Sequence, residues 1–107
     1  MIVNFDSIPE EKIENFVGGE GHVLAKRYID NAGKIMKLTL PIGSSVGLHV
    51  HADNQEIAYI ISGTGTHLYN GKKEEIVPGV AVYCPKGQEH SIINTGNEDL
   101  IFIAVVM

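Results

Sequence analysis

The chain has 107 residues, 44% of them apolar and 20% charged, enough to fill one domain's core and too apolar for a disordered tail. Thirteen acidic against eight basic residues leave a formal charge of −5, which argues against non-specific binding to nucleic acid or to an anionic membrane. A single cysteine excludes an intrachain disulfide, and with it the disulfide-stapled secreted modules.

In chain order, Met1–Asp6 offers no basic start and meets an acid before any apolar stretch develops, so it does not read as a signal peptide. Ser7-Ile8-Pro9-Glu10 has the Ser-x-x-Glu form of a helix capping box. Ile8, Ile13, Phe16 and Val17 give a partly one-sided apolar pattern that Gly18-Gly19 end, which predicts a short helix near Pro9–Phe16. Beyond Gly21 the character changes. Runs rich in Val, Ile, Leu, Tyr and Thr alternate with turn signals such as Asp30-Asn31-Ala32-Gly33, Ser62-Gly63, Asn70-Gly71, Pro78-Gly79 and Pro85-Lys86-Gly87. That rhythm belongs to an all-β sandwich or barrel. Asn70-Gly71 is the sharpest signal, because a two-residue hairpin turn needs positive φ at both positions. Leu100–Val106 is apolar throughout, as for a strand covered on both faces. The run to Met107 has eight residues against the roughly 18 that a bilayer-spanning helix needs. The organisation expected is therefore a single domain over 1–107, with an N-terminal arm and short helix over 1–20 and a β-barrel over 21–107. A soluble, reduced, cytoplasmic protein is the expected setting.

Five histidines are many for this length, and three lie where metal binding is favoured. His49 and His51 are two apart, so both imidazoles point to one face of an extended strand. Glu56 follows after a polar turn, Ala52-Asp53-Asn54-Gln55, and His90 comes just after the tight turn Pro85-Lys86-Gly87. If these strands curl into a small barrel, the four groups converge inside it. Neutral imidazoles with one carboxylate suit a divalent first-row metal, and four donors at about 2.0–2.2 Å leave room for water, dioxygen or a substrate.

These residues carry a family resemblance. Gly43, His49, His51, Glu56 and Gly63 match G-x5-H-x-H-x4-E-x6-G, and Gly79, Pro85, Gly87, His90 and Asn94 match G-x5-P-x-G-x2-H-x3-N. In both blocks the chain resembles the cupins. The resemblance implies an all-β fold, the double-stranded β-helix or cupin jelly-roll barrel, and often a homodimer; the apolar start, Ile2, Val3 and Phe5, is the only local support for the latter. It makes His49, His51, Glu56 and His90 the ligands of one divalent transition metal per chain, whether manganese, iron, nickel, cobalt or zinc. One departure is visible: many cupins place Asp after the glycine that opens the second motif, where Val80 stands here.

Other residues keep two readings. His67, in the strand before Asn70-Gly71, either supports catalysis at the barrel mouth, beside the metal or as a general base, or is an exposed strand histidine. Arg27 either anchors a substrate carboxylate at the mouth or sits with Lys26 as a solvated surface pair. As the only Arg, it speaks against a substrate that needs two guanidinium contacts, a dicarboxylate decarboxylase included. His22 reads as structural and Cys84 as a small core hydrophobe. Alternation from Glu56 turns Tyr59 outward and places Ala58 and Ile60 in the pocket lining, with Gly47, Ile92 and Asn94. The leading functional expectation is a metal-dependent enzyme acting on a small organic molecule, of dioxygenase, isomerase, lyase or decarboxylase type. The alternative is a non-catalytic module that binds or senses a small ligand such as a sugar.

Overall fold

The computed structural model describes residues 1–107. Ten strands follow the turn signals: β1 Glu11–Glu14, β2 His22–Ile29, β3 Lys34–Leu40, β4 Ser45–Val50, β5 Glu56–Ser62, β6 Gly65–Tyr69, β7 Lys72–Ile76, β8 Ala81–Cys84, β9 Glu89–Ile93 and β10 Leu100–Val106. Every pairing is antiparallel. One sheet has the order β1-β2-β3-β10-β5-β8 and the other β4-β9-β6-β7. The crossovers between them make a double-stranded β-helix, the jelly-roll barrel that the motifs implied. Asn70 and Gly71 adopt φ of 48° and 80°, the left-handed pair that joins β6 to β7 in two residues.

The core lies between the sheets. Leu38, Ile60, Phe102 and Ala104 enter it from the larger sheet, and Val46, Ile76 and Ile92 from the smaller. Phe102, fully buried, sits on β10 at the centre of the larger sheet, paired with Leu38 on one side and Ile60 on the other. The expectation that β10 is covered on both faces is corrected. Leu100, Phe102, Ala104 and Val106 are buried, while Ile101, Ile103 and Val105 between them are only partly so. One face of this wholly apolar strand packs inward and the other looks out.

The short N-terminal helix does not form. A 3-10 turn covers Phe5–Ser7, capped by Asn4, whose side chain accepts from the Asp6 amide at 3.1 Å. The predicted helical stretch is strand β1, with Glu11 to Glu14 opposite Ala25 to His22. A helix of eight residues is too short to hold itself in water, whereas pairing with β2 satisfies the backbone and leaves Ile13 packed on the core. Asn15, at φ 50°, ends the strand in the left-handed region, which Asn tolerates better than most residues. A second 3-10 turn, Phe16–Gly18, then straps across β4. The strap presses so closely that a Cβ on Gly47 would run into the Val17 carbonyl, and one on Gly19 into the Ser45 carbonyl.

Candidate metal centre

β4 and β9 pair so that His49 faces His90 directly. His51 follows β4 and is held by backbone bonds to Gln88 and Gly87, in the turn that leads to His90. Glu56 opens β5 in the other sheet, opposite Val106 and Cys84. The Ala52–Gln55 turn thus brings a carboxylate from one sheet against three imidazoles from the other. His51 Nε2 lies 3.0 Å from His49 Nε2, 3.0 Å from His90 Nε2 and 3.0 Å from Glu56 Oε1. His90 Nε2 lies 3.1 Å from Glu56 Oε1, and His49 Nε2 is 4.0 Å from it. His51, Glu56 and His90 are buried, and His49 is partly exposed.

Hydrogen bonds at the back of each ring say what the front can offer. His49 Nδ1 donates to the Gly47 carbonyl at 2.6 Å and His51 Nδ1 to Asn54 Oδ1 at 2.6 Å. His90 Nδ1 is 2.8 Å from His67 Nε2, and His67 Nδ1 donates to Glu74 Oε1 at 2.8 Å. A neutral imidazole that donates from Nδ1 presents a bare lone pair at Nε2. Three such lone pairs and a carboxylate oxygen therefore face one another within 4.8 Å. Acceptors this close repel unless a cation lies among them.

The spacing fits a first-row divalent ion. Bonds of about 2.1 Å put neighbouring corners of an octahedron about 3.0 Å apart and opposite corners about 4.2 Å apart. Four edges of 3.0–3.1 Å and a 4.0 Å diagonal from His49 to Glu56 match those values. The group is placed to bind a metal ion.

The electrostatics agree. Burial pushes His49 below the usual imidazole value, against its bond to Gly47. The Glu56 hydrogen bond raises His51, against its own burial. Burial would raise Glu56 too, but the hydrogen bonds of His51 and His90 prevail and hold it at about 2. A proton on His51 can bridge one edge of this cage, but only a multivalent cation serves all four donors.

A cavity of about 380 Å³ opens onto His49, His51 and Glu56. Phe16 and Val17 from the strap, with Met36 and Val46, give it apolar walls, and Lys34 and Asp53 stand in it as well. None of the five residues expected to line it does so. Ala58, Ile60 and Ile92 face inward as alternation required but belong to the core. Gly47 lies under the strap. Asn94 is buried with its amide donating to the Leu40 and Glu98 carbonyls, both at 2.8 Å.

The two candidate catalytic residues also lie away from this cavity. Arg27 is bound to Glu11 by two hydrogen bonds, 3.1 and 2.9 Å, between β2 and β1, because the strand that replaced the helix brings a carboxylate beside it. His67 is 1% exposed and lies behind His90, so it stands beside a candidate metal ligand, as one reading had it, but away from any mouth, and it is not an exposed strand histidine. Burial pushes it below the usual imidazole value despite Glu74. His22 stays outside the cluster, its amide donating to Ser44 Oγ at 3.3 Å. Cys84 is buried, and burial, with the Glu56 charge, raises its thiol to about 11.

Sequence reasoning missed Asn54, Glu74 and Lys34. Glu74 had a signal. A two-residue turn at Asn70-Gly71 pairs residue 69 with 72, and so 67 with 74, which is the observed register.

Comparison with known proteins places the chain. Residues 36–106 match the cupin domain family, and the chain belongs to it. An oxalate-binding protein of Thermotoga maritima is 42% identical, with all of this chain and 93% of that protein covered. A crystal structure from Thermotoga maritima, described as a predicted oxalate decarboxylase, superposes with a TM-score of 0.93 at 40% identity over all of this chain and 98% of that one. A glucose-6-phosphate isomerase of Thermococcus onnurineus is 40% identical over 53% of this chain, but only 33% of the isomerase is covered.

Proposed function

We propose that the chain holds one divalent transition-metal ion on His49, His51, Glu56 and His90 and uses it to bind a small dicarboxylate, with oxalate as the first candidate. The observation that carries this reading is the shape of the donor set. The His49–Glu56 separation has the length of a diagonal, and His51–His90 has that of an edge. An octahedral ion held by donors so arranged would have two neighbouring corners open to a ligand from outside the chain. A chelating dicarboxylate offers two oxygens spaced for neighbouring corners. The bound ion supplies fixed positive charge and Lewis acidity toward those oxygens. Lys34, the one ammonium in the cavity lining, has no carboxylate within salt-bridge distance of its own, so it is free to face the outer end of a dianion. The name of the Thermotoga maritima oxalate-binding relative supports the same ligand class. Having a single arginine is no obstacle on this reading, because the metal and Lys34 supply the charge and Arg27 is already paired with Glu11.

Binding is preferred to turnover. Apart from the four donors, the cavity lining has only Lys34 and Asp53 to hold or move a proton. Calorimetry on protein loaded with Mn²⁺, Co²⁺ or Zn²⁺ decides between the readings. Oxalate should bind the loaded chain, acetate far more weakly, and the metal-stripped chain not at all. Equal oxalate binding with and without metal overturns the proposal. Formate appearing in step with oxalate loss would establish turnover in place of simple binding.

A further inference from the structure

We infer that Glu74 is a positioning residue for the metal, acting through His67 to aim and enrich the His90 lone pair. The inference rests on the metal reading above, not on the identity of the ligand. The Glu74 side chain is about half exposed, at 55%, on the edge strand β7, and the two-residue hairpin sets it directly opposite His67. A carboxylate accepts and does not donate, so at 2.8 Å it is His67 Nδ1 that carries the hydrogen. The neutral His67 ring is then an acceptor at Nε2. His90 Nδ1, 2.8 Å from that atom, must be the donor, and His90 Nε2 is left bare toward His51 and Glu56. One exposed carboxylate thus fixes two buried tautomers in series, and the second is the one a metal needs.

The line crosses the smaller sheet strand by strand, from Glu74 on β7 through His67 on β6 to His90 on β9 and His49 on β4. His90 is the donor with most need of such support, because it is 1% exposed and no water can correct its tautomer from behind. A negative charge at the far end also makes each ring in the line a stronger donor, and so raises the basicity of the last nitrogen. Partners of this kind are worth about 10–100-fold in metal affinity when they touch the ligand directly. Through one intervening ring Glu74 should be worth less, about three- to tenfold.

The test uses the full chain and two readouts. Long-range ¹H–¹⁵N spectra of the metal-free protein should show His67 and His90 as Nδ1–H tautomers, with the His67 pattern altered in Glu74→Ala. Titration with Co²⁺ or Zn²⁺ should give a Kd about three- to tenfold weaker for Glu74→Ala. Glu74→Gln, which keeps an acceptor but loses the charge, should fall between it and the unaltered chain. His67→Phe should be weaker than either; should it fail to fold, the Glu74 pair still decides, because an exposed edge residue does not hold up the core. An Nε2–H tautomer at His90 overturns the inference. So does an unchanged Kd in both Glu74 variants. Absence of metal binding by the unaltered chain would overturn the metal reading as well, and the spectra separate the two failures.

Discussion

His49 Nε2 and Glu56 Oε1 stand 4.0 Å apart, while His51 Nε2 lies 3.0 Å from both. They come from different sheets and meet only because β4 and β5 are joined by a short turn at one end of the barrel. As opposite corners they define the axis of the cage, and His51 and His90 complete it. Removing a corner should therefore cost affinity without emptying the core. His49→Ala, at the partly exposed position, should weaken Zn²⁺ or Co²⁺ binding by at least about tenfold, since a direct ligand outranks the groups behind it. The double change His49→Ala with His51→Ala should abolish stoichiometric metal on purification without a histidine tag. Elemental analysis checks this, and an unaltered metal content in the double variant would sink the assignment.

Acid should strip the metal and then loosen the metal-free chain. His51 is raised above its usual value by Glu56, so as pH falls it takes up a proton that a metal ion must displace, and affinity then falls about tenfold per pH unit for each proton displaced. For stability of the metal-free chain the signs differ by group. Glu56, at about 2 against a reference of 4.5, contributes stability that is present above pH 4.5 and lost as pH falls toward 2. Burial depresses His49 and His67, so their contribution is present above pH 6.5 and lost below it. His51 runs the other way, with its contribution present below pH 6.5 and lost as pH rises through its raised value. Below pH 6.5 the His51 contribution no longer changes, so the losses at His49, His67 and Glu56 make the metal-free chain less stable as pH drops from 6.5 toward 3. Thermal melts of chelator-treated protein at pH 7, 5 and 3 test this, and a Tm that stays level would contradict it.

The donor set was legible because its ligands lie in two short blocks whose internal spacing survives folding. His49 and His51 share a strand face, and the Pro85-Lys86-Gly87 turn delivers His90. The lining was not legible. Alternation from Glu56 correctly turned Ala58 and Ile60 inward, but inward includes both the core and the cavity. Which of the two a residue meets depends on the start of β3 and on the strap at Phe16–Gly18, both distant in sequence from β5. Arg27 was misplaced for a related reason. A capping box is a local signal, and its competitor, the β1–β2 ladder, pairs Glu11 with Ala25 fourteen residues later.

The strap over Gly47 makes the next prediction. Val17 holds φ 54°, which costs a β-branched residue energy, and it does so with its carbonyl against the glycine Cα. Gly47→Ala would force that carbonyl away. The expected cost is about 1–3 kcal/mol in a urea melt, as for other overpacked sites. Phe16 and Val17 wall the cavity, so oxalate affinity should fall by a larger factor than metal affinity. Equal stability of the two chains would show that the contact is not tight in solution.

The outward face of the larger sheet supplies the last prediction. Ile57, Tyr59 and Ile61 on β5 are 49%, 53% and 46% exposed. By register Ile57 lies between Tyr83 on β8 and Val105 on β10, and Tyr59 lies beside Ile103. This is a continuous apolar surface across three strands, of a kind that soluble monomers rarely leave open. It also explains why β10 is apolar on both faces although only one enters the core. A second copy of the chain is the expected cover, since a closed pair related by a two-fold axis buries the same patch on both partners. Light scattering should give about twice 11.6 kDa. Tyr59→Lys should return the single-chain mass with the metal site intact, because Tyr59 points away from Glu56 on β5. A single-chain mass for the unaltered protein would refute the pairing. A dimer that survives both Tyr59→Lys and Ile57→Lys would move the interface elsewhere. The apolar start at Ile2, 90% exposed, is then the next segment to truncate.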